Sequence, residues 1–286
     1  MLAAATAAPT PRRPVWLGAA RVGSVAEAHL PLLAAEPAHF CIETAAVHIT
    51  IAPAACEAVL DALHRRWREA GVVRAWRDER YSLAALDGPN AGQPLVAIER
   101  AAARFWGSLT LGAHATGYVR GADGRPEALW IARRAFDKAT DPGCFDNLVG
   151  GGVPLGAGPR EALVRATLVR ESWEEAGLPP EVAEGAVAAR VLRVQRDVPE
   201  GLQLEWLHAF DLALPAGLHP QNHDGEVAEF RLLPVTDALA LAASGTMTVD
   251  AALVTFDFAL RHGLLPPGEA AVFASALPGL LPEPPR

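Results

Sequence analysis

Glu171, Glu174 and Glu175 stand at i, i+3 and i+4, a spacing that sets three carboxylates on one face of a helix. Like charges so placed repel each other and weaken an isolated helix. A hard divalent cation reverses that cost, because it takes several oxygen ligands at close quarters. Glutamate triples also line ordinary solvated helix faces, so the surroundings decide. Arg170 sits beside Glu171, where it can orient a carboxylate, and Gly177 closes the helix. Gly150, Gly151, Gly152 and Gly156 precede it, and glycine lets a backbone pass close to a ligand. The chemistry open to such a group is metal-assisted hydrolysis: Mg2+ (or Mn2+) held by Glu171, Glu174 and Glu175 neutralises phosphate oxygens and lowers the pKa of water.

The elements that must position this helix follow from periodicity. Residues 159–176 read as the helix itself. Two apolar runs, 112–119 and 128–133, flank a Gly/Asp turn at 121–124 and read as a hairpin. Strands are expected at 187–195 and 202–212, and helices at 235–243 and 249–262. Earlier, the run 47–51 is β-branched, and 54–70 carries Val59, Leu60, Leu63 and Trp67 at helical spacing before Gly71. Strand-like pieces follow at 72–76 and 81–86, then a loop at 88–92. Strands and helices without strict alternation point to an α/β (α+β) fold, a sandwich around a mixed sheet. We expect a small accessory α/β domain over 1–105 and a second domain over 106–286.

Composition narrows the function classes. The chain has 286 residues, half of them hydrophobic, and a formal net charge of −8. An acidic protein gains little from a nucleic-acid duplex, so no nucleic-acid partner is expected. An anionic small substrate then needs a metal or a few local cations; Arg133, Arg134 and Lys138 are the candidates to clamp its phosphates. Cys41, Cys56 and Cys144 are widely spaced and form no CxxC pair, which reads as reduced thiols in a cytoplasmic protein. Residues 1–10 are Ala-rich and interrupted by proline; they read as a frayed tail with no signal-peptide pattern. No apolar stretch is long enough to span a bilayer, so no membrane partner is expected. Gly-x-Ser-x-Gly, Gly-Lys-Ser/Thr and His-Glu-x-x-His patterns are absent.

The segment Arg170-Glu171-Ser172-Trp173-Glu174-Glu175-Ala176-Gly177-Leu178 resembles the second half of the Nudix hydrolase box, departing from it only at Ser172, a place usually apolar. The first half departs more. Aligned without a gap, its glycine is Gly156 and its glutamate place holds Ala162, next to Glu161; with 166–170 taken as an insertion, these become Gly151 and Ala157. A five-residue insertion turns a helix by about 500°, but Arg170 and the three glutamates all follow it, so their mutual geometry is kept. A longer helix start or a bulged loop is the expected result.

A narrower resemblance covers most of the chain. Arg100, Gly112-x-His114, Gly117-Tyr118-Val119, 130–134, Asp146-Asn147, Gly151-Gly152, 224–230 and 257–263 are similar to the Nudix branch related to the protein fused to thiamine pyrophosphokinase in fungi. The resemblance implies a Nudix α/β/α sandwich preceded by an extra N-terminal domain. It also implies Mg2+-dependent cleavage of a diphosphate bond in a small molecule, with thiamine diphosphate or its oxidised analogues as substrate and the monophosphate as product.

In that reading Arg170, Glu171, Glu174 and Glu175 are catalytic, and Glu226, in the Asp-Gly-Glu-Val segment, completes the metal shell or takes the proton from water. Arg133, Arg134, Lys138, Gly151 and Gly152 bind substrate, and His114 is a strand histidine satisfied by backbone. Two alternatives stand beside it: hydrolysis of another nucleoside diphosphate derivative, and a non-catalytic Nudix-fold binding module. A homodimer is compatible with each.

Overall fold

A computed structural model describes residues 1–88 and 90–282; Pro89, inside the loop expected over 88–92, lies outside the described residues. A short helix α1 (Leu2–Ala5) precedes a small first unit. Strands β1 (Arg12–Leu17) and β2 (Ala20–Ala26) form a hairpin that turns at Gly18, where φ is +58°. After α2 (Leu30–Ala34), strands β3 (Phe40–Ile42) and β4 (Val47–Ile49) complete a sheet of order β2-β1-β4-β3, in which β1 and β4 run parallel. Helix α3 (Pro53–Glu69) begins with proline, whose missing N–H is harmless in a first turn, and buries Cys56, Leu60, Leu63, His64 and Trp67 on one stripe. A two-stranded sheet, β5 (Arg80–Ala84) and β6 (Pro94–Glu99), leads into α4 (Arg100–Trp106).

The second unit is built on β7 (Leu109–Arg120), which turns into β8 (Pro126–Arg134). Short strands β9 (Phe145–Asp146) and β10 (Val149–Gly152) lead to α5 (Arg160–Ala176) and α6 (Pro180–Ala183). Strands β11 (Val187–Val198), β12 (Gly201–Ala213) and β13 (Val227–Pro234) precede helices α7 (Val235–Ala243), α8 (Val249–Arg261) and α9 (Pro267–Ala276). The sheet order is β11-β12-β7-β8-β13, with β10 paired to β7 and β9 to β8; β7 and β12 are parallel and the other pairs antiparallel. Small side chains let layers close on β7: Ala113 and Ala115 face the α5 layer, and a Cβ on Gly117 would sit 2.2 Å from Leu148 Cδ2. One apolar core joins the sheet to α5 through Val164 and Leu168, and another joins its opposite face to α7 and α8 through Leu239, Val254 and Phe258. The result is an α/β/α sandwich around a mixed sheet, preceded by a small α/β unit.

A buried ion network clasps α8 to β12. Asp257, fully buried, accepts from Arg190 and from Arg261 at 2.7 Å; Arg261 also binds Asp211 through both oxygens at 2.6 and 2.7 Å, and His262 Nε2 lies 2.8 Å from Asp211. The 257–263 segment therefore has a structural task. His114 is held by a side chain and not by backbone: its Nδ1 lies 3.1 Å from Asn147 Oδ1, while Asn147 Nδ2 donates to Thr255 at 3.1 Å.

Two sequence expectations fail here, and two strands went unread. Residues 72–76 form no strand, because Ala75 and Asp78 take positive φ (59° and 56°), a left-handed geometry that ends extended pairing. Strands β1 and β2 escaped periodicity because Pro14, Gly18 and Gly23 interrupt their alternation. Residues 1–10 are not frayed: Ala5 is fully buried in the second unit's core, Ala7 O accepts from Asp197 N at 2.8 Å, and Thr10 N donates to Asp197 at 2.7 Å. Small apolar side chains here cover apolar surface beside α8 that would otherwise be wet.

His64 makes the first unit acid-sensitive. It is fully buried and accepts from Trp106 Nε1 at 2.8 Å; burial first, with Arg80 adding to it against Asp61, pushes its pKa down from 6.5 to about 4. A lowered histidine pKa means that the unfolded chain takes up a proton the folded one refuses, so stability falls as pH drops from about 6.5 to about 4. We predict that wild type loses about 3 kcal/mol more than His64→Gln between pH 7 and pH 4, measured by denaturant unfolding. Equal losses in the two proteins would remove His64 from this role.

Candidate active site

Helix α5 runs unbroken through residues 166–170, so the extra segment lengthens the helix start. Its buried stripe is Val164, Thr167, Leu168, Ser172, Glu175 and Ala176. The stripe starts apolar and ends polar, which carries the carboxylates toward the sheet instead of toward water. Ser172 is fully buried with its hydroxyl unpaired, which marks the cost of a polar residue at an apolar place. Gly177, at φ +61°, closes the helix in left-handed geometry.

Two carboxylates meet the main chain of β10. Glu175 is 5% exposed and accepts from Gly150 N at 3.0 Å. Glu171 lies over the next residue: a Cβ on Gly151 would fall 2.3 Å from its Cδ, so only glycine admits the carboxylate there. Burial, then the charge of Glu171, push the Glu175 carboxyl well above the ordinary carboxylate range, against the pull of Gly150 N–H and Lys138. Burial also raises Glu171, with Glu174 adding to it and Arg170 and Arg100 opposing. A buried acid whose ionisation is disfavoured by the charge of a half-buried neighbour forms, with that neighbour, a seat for a cation.

Glu174 takes a different position. It is partly exposed and pairs with Arg170 at 2.6 Å, while Arg170 donates to Glu171 at 2.7 Å. Arg170 thus spans the outer side of Glu171 and turns Glu174 away from the seat. Among the described residues no three His, Cys, Asp or Glu side chains form a group ready to hold a metal. Magnesium does not require one. It is commonly held by one or two carboxylates, with water and substrate oxygens completing the shell, and Glu171 with Glu175 fits that pattern in hard oxygen chemistry.

Cations gather around these acids. Arg134 donates to Asp146 at 3.0 Å and its charge is felt by Glu175. Lys138 donates to Glu226, and Arg77 of the first unit lies 3.9 Å from the same carboxylate. Although burial opposes it, Lys138, Arg77 and Arg134 hold Glu226 below its ordinary pKa. Strand alternation sends Arg133 to the other face of β8, where it donates to Gly143 O at 3.0 Å, pairs with Glu229 and lies over Phe136 and Phe145. Gly152 admits a protein group: a Cβ there would fall 1.9 Å from Tyr81 Oη and 3.1 Å from Arg100 Nη2. Glu161, Ala157 and Ala162, the residues at or beside the missing glutamate's place, are all exposed. Sequence reasoning gave no site role to Asp146, Arg77, Tyr81 or Arg100; for the last three, no spacing links the first unit's residues to α5.

The NUDIX domain family model matches residues 110–252, half of the chain. The chain is similar to Nudix hydrolase 20, chloroplastic, of Arabidopsis thaliana, at 34% identity over 70% of this chain and 51% of that protein. It is also similar to Nudix hydrolase 24, chloroplastic, of the same plant, at 36% identity over 69% of this chain and 52% of that protein. The chain thus spans about half the length of these relatives. A MutT protein from Methanosarcina mazei Go1 is 20% identical, covers 54% of this chain and 94% of its own, and reaches a TM-score of 0.37, a likeness too loose to argue from.

The crowding of Glu171 and Glu175 has a measurable sign. A carboxyl whose folded pKa is raised gives its full stability below its unfolded pKa, and that stability is lost as pH rises through the folded value. Without divalent metal at about pH 8, Glu175→Gln should therefore melt higher than wild type, by roughly 2–4 °C for each kcal/mol relieved. The two should converge near pH 4. Magnesium should raise the wild-type melting temperature more than that of the variant. A variant that melts lower than wild type without metal would contradict the crowded seat.

Proposed function

The chain belongs to the Nudix family, and from that premise we propose that it hydrolyses the diphosphate bond of a small molecule with Mg2+ or Mn2+. The observation that carries this reading is the pair of carboxylates, Glu175 buried and Glu171 largely so, set against the main chain at Gly150 and Gly151. Glu171 and Glu175 would hold the metal, which would neutralise phosphate oxygens and acidify water. Arg170 fixes the orientation of Glu171 and uses Glu174 as its second anchor. Glu226 stays ionised because Lys138 and Arg77 face it. A phosphate that draws Lys138 away leaves Glu226 free to accept a proton from the attacking water. Arg134 and Lys138 are the cations for the departing charge; Arg133, tied to Glu229 and Gly143, orders the neighbouring loop.

The finer substrate is thiamine diphosphate or an oxidised analogue, cleaved to the monophosphate. What supports it is the resemblance of the residues from Arg100 to 257–263 to one Nudix branch. A nucleoside diphosphate derivative is the alternative within the class. A non-catalytic binding module is the alternative outside it, favoured by the lack of a glutamate at Ala157 or Ala162. A cytoplasmic setting rests on the free thiols of Cys41, Cys56 and Cys144. Among the described residues no helix is long and apolar enough to cross a membrane.

A phosphate-release screen with magnesium across diphosphate compounds, thiamine diphosphate and its oxidised forms included, tests the reading. Glu171→Gln and Glu175→Gln should each lower kcat by more than about 100-fold, beyond what removing a metal's outer-shell partner costs. Glu174→Gln should cost less than either, because it acts through Arg170. If no compound turns over although magnesium binds, the chain is a binding module. Full turnover in both Glu171→Gln and Glu175→Gln would end the metal-seat proposal.

A further inference from the structure

We infer that the first unit is a wall of the substrate cleft, in which Arg77 and Arg100 bind the anionic end of the diphosphate, held in place by the buried carboxylate of Glu99. The inference rests on the metal-assisted diphosphate reading above. It assigns the substrate a second set of contacts, from a part of the chain that lies outside the residues matching the family.

The argument starts from two consecutive glycines. The Cβ position of Gly151 falls against the Glu171 carboxyl, and that of Gly152 falls 3.1 Å from Arg100 Nη2. Successive residues of a strand point to opposite faces, so Glu171 and Arg100 flank one dipeptide from its two sides. The Arg100 guanidinium is partly exposed; Glu79 takes its Nη1 at 2.7 Å, and its Cζ lies over the Tyr81 ring, 5.4 Å from the centroid. The Nη2 edge is left facing β10. A guanidinium pre-set by an ion pair and an aromatic ring presents a fork suited to phosphate oxygens at little further loss of rotamer freedom.

Arg77 stands on the Glu226 side of the site, 3.9 Å from that carboxylate and itself exposed. One buried group fixes the backbone at or beside both arginines. Glu99 is 3% exposed, and its Oε1 accepts from Arg77 N at 2.9 Å and from Ala101 N at 3.2 Å. It thereby caps α4 and ties the segment leading into β5 to the first turn that carries Arg100. Arg100 N completes the tie by donating to Glu79 O at 2.9 Å. A free structural ion pair would need neither arginine to face the second unit. Here both do, on a chain whose net charge is −8. Local cations of this kind are what an acidic protein needs to draw in a polyanion.

The test uses the full chain, with methylenediphosphonate as a probe that cannot be cleaved, titrated calorimetrically in saturating magnesium. Mn2+ binding, followed by electron paramagnetic resonance, reports the metal seat separately. Arg100→Gln should weaken the diphosphonate about tenfold, the loss of one charge-assisted contact, and Arg77→Ala about threefold, because it is more exposed to screening. Mn2+ affinity should stay within about twofold in both. Glu99→Gln should mimic Arg100→Gln on the diphosphonate. Arg77 makes no core contact, so Arg77→Ala keeps the test decisive if Arg100→Gln is poorly folded. Unchanged diphosphonate affinity in folded Arg77→Ala and Arg100→Gln would overturn the inference and leave the metal seat standing. Unchanged Mn2+ affinity in Glu175→Gln would overturn the seat, and with it the inference.

Discussion

The constraint on which the rest depends is the burial of two like charges against a main chain with no side chains of its own. Glu171 and Glu175 reach β10 because the residues beneath them are glycines, and because the packed stripe of α5 turns polar at its last turns. Burial of an ionised carboxylate costs several kcal/mol unless a partner compensates it. One backbone N–H, from Gly150, is not enough for two acids. The surrounding charges read as answers to that deficit: Arg170 outside, Lys138 and Arg134 at one flank, Arg100 at the other. Each relieves the acids in part and leaves demand for a small hard cation.

The two units meet over the same glycine stretch. Tyr81 and Arg100 occupy the space over Gly152 that any larger residue would close. The carbonyl of Arg80 accepts from Leu155 N at 2.7 Å, so the chain leaving β10 is extended by the first unit's own backbone. The glycine-rich stretch thus serves protein contacts on both sides, where the sequence had suggested a loop open to ligand.

The helix of acids was legible because it combines local signals: a 3.6-residue period, a terminal glycine and an Arg-Glu pair at fixed spacing. The hairpin β7–β8 and the pair β11–β12 were legible for the same reason, with apolar runs bounded by turn residues. What separates Glu175 from Glu174 was not legible, since both lie on the face that spacing defines. Only the sheet beneath decides which is buried. Arg133 and Arg134 are adjacent in sequence and reach opposite faces, a distinction set by the register of β8 with β9 and β13. Arg77 and Arg100 could not be placed at all, because they are brought to α5 by Glu99 hydrogen-bonding to backbone, which leaves no periodic trace.

Residues 2–7 lie on the second unit, at α8 and β11, while the chain that follows builds the first unit and then returns through Gly107 and Ser108. Two covalent tethers therefore join the bodies, one anchored at Asp197 and one at the start of β7. A body fastened at two separated points cannot swivel freely; its easiest rigid motion is rotation about the line through them. The two fastenings thereby restrict how the first unit can turn against α5, and with it where Arg100 can stand over Gly152.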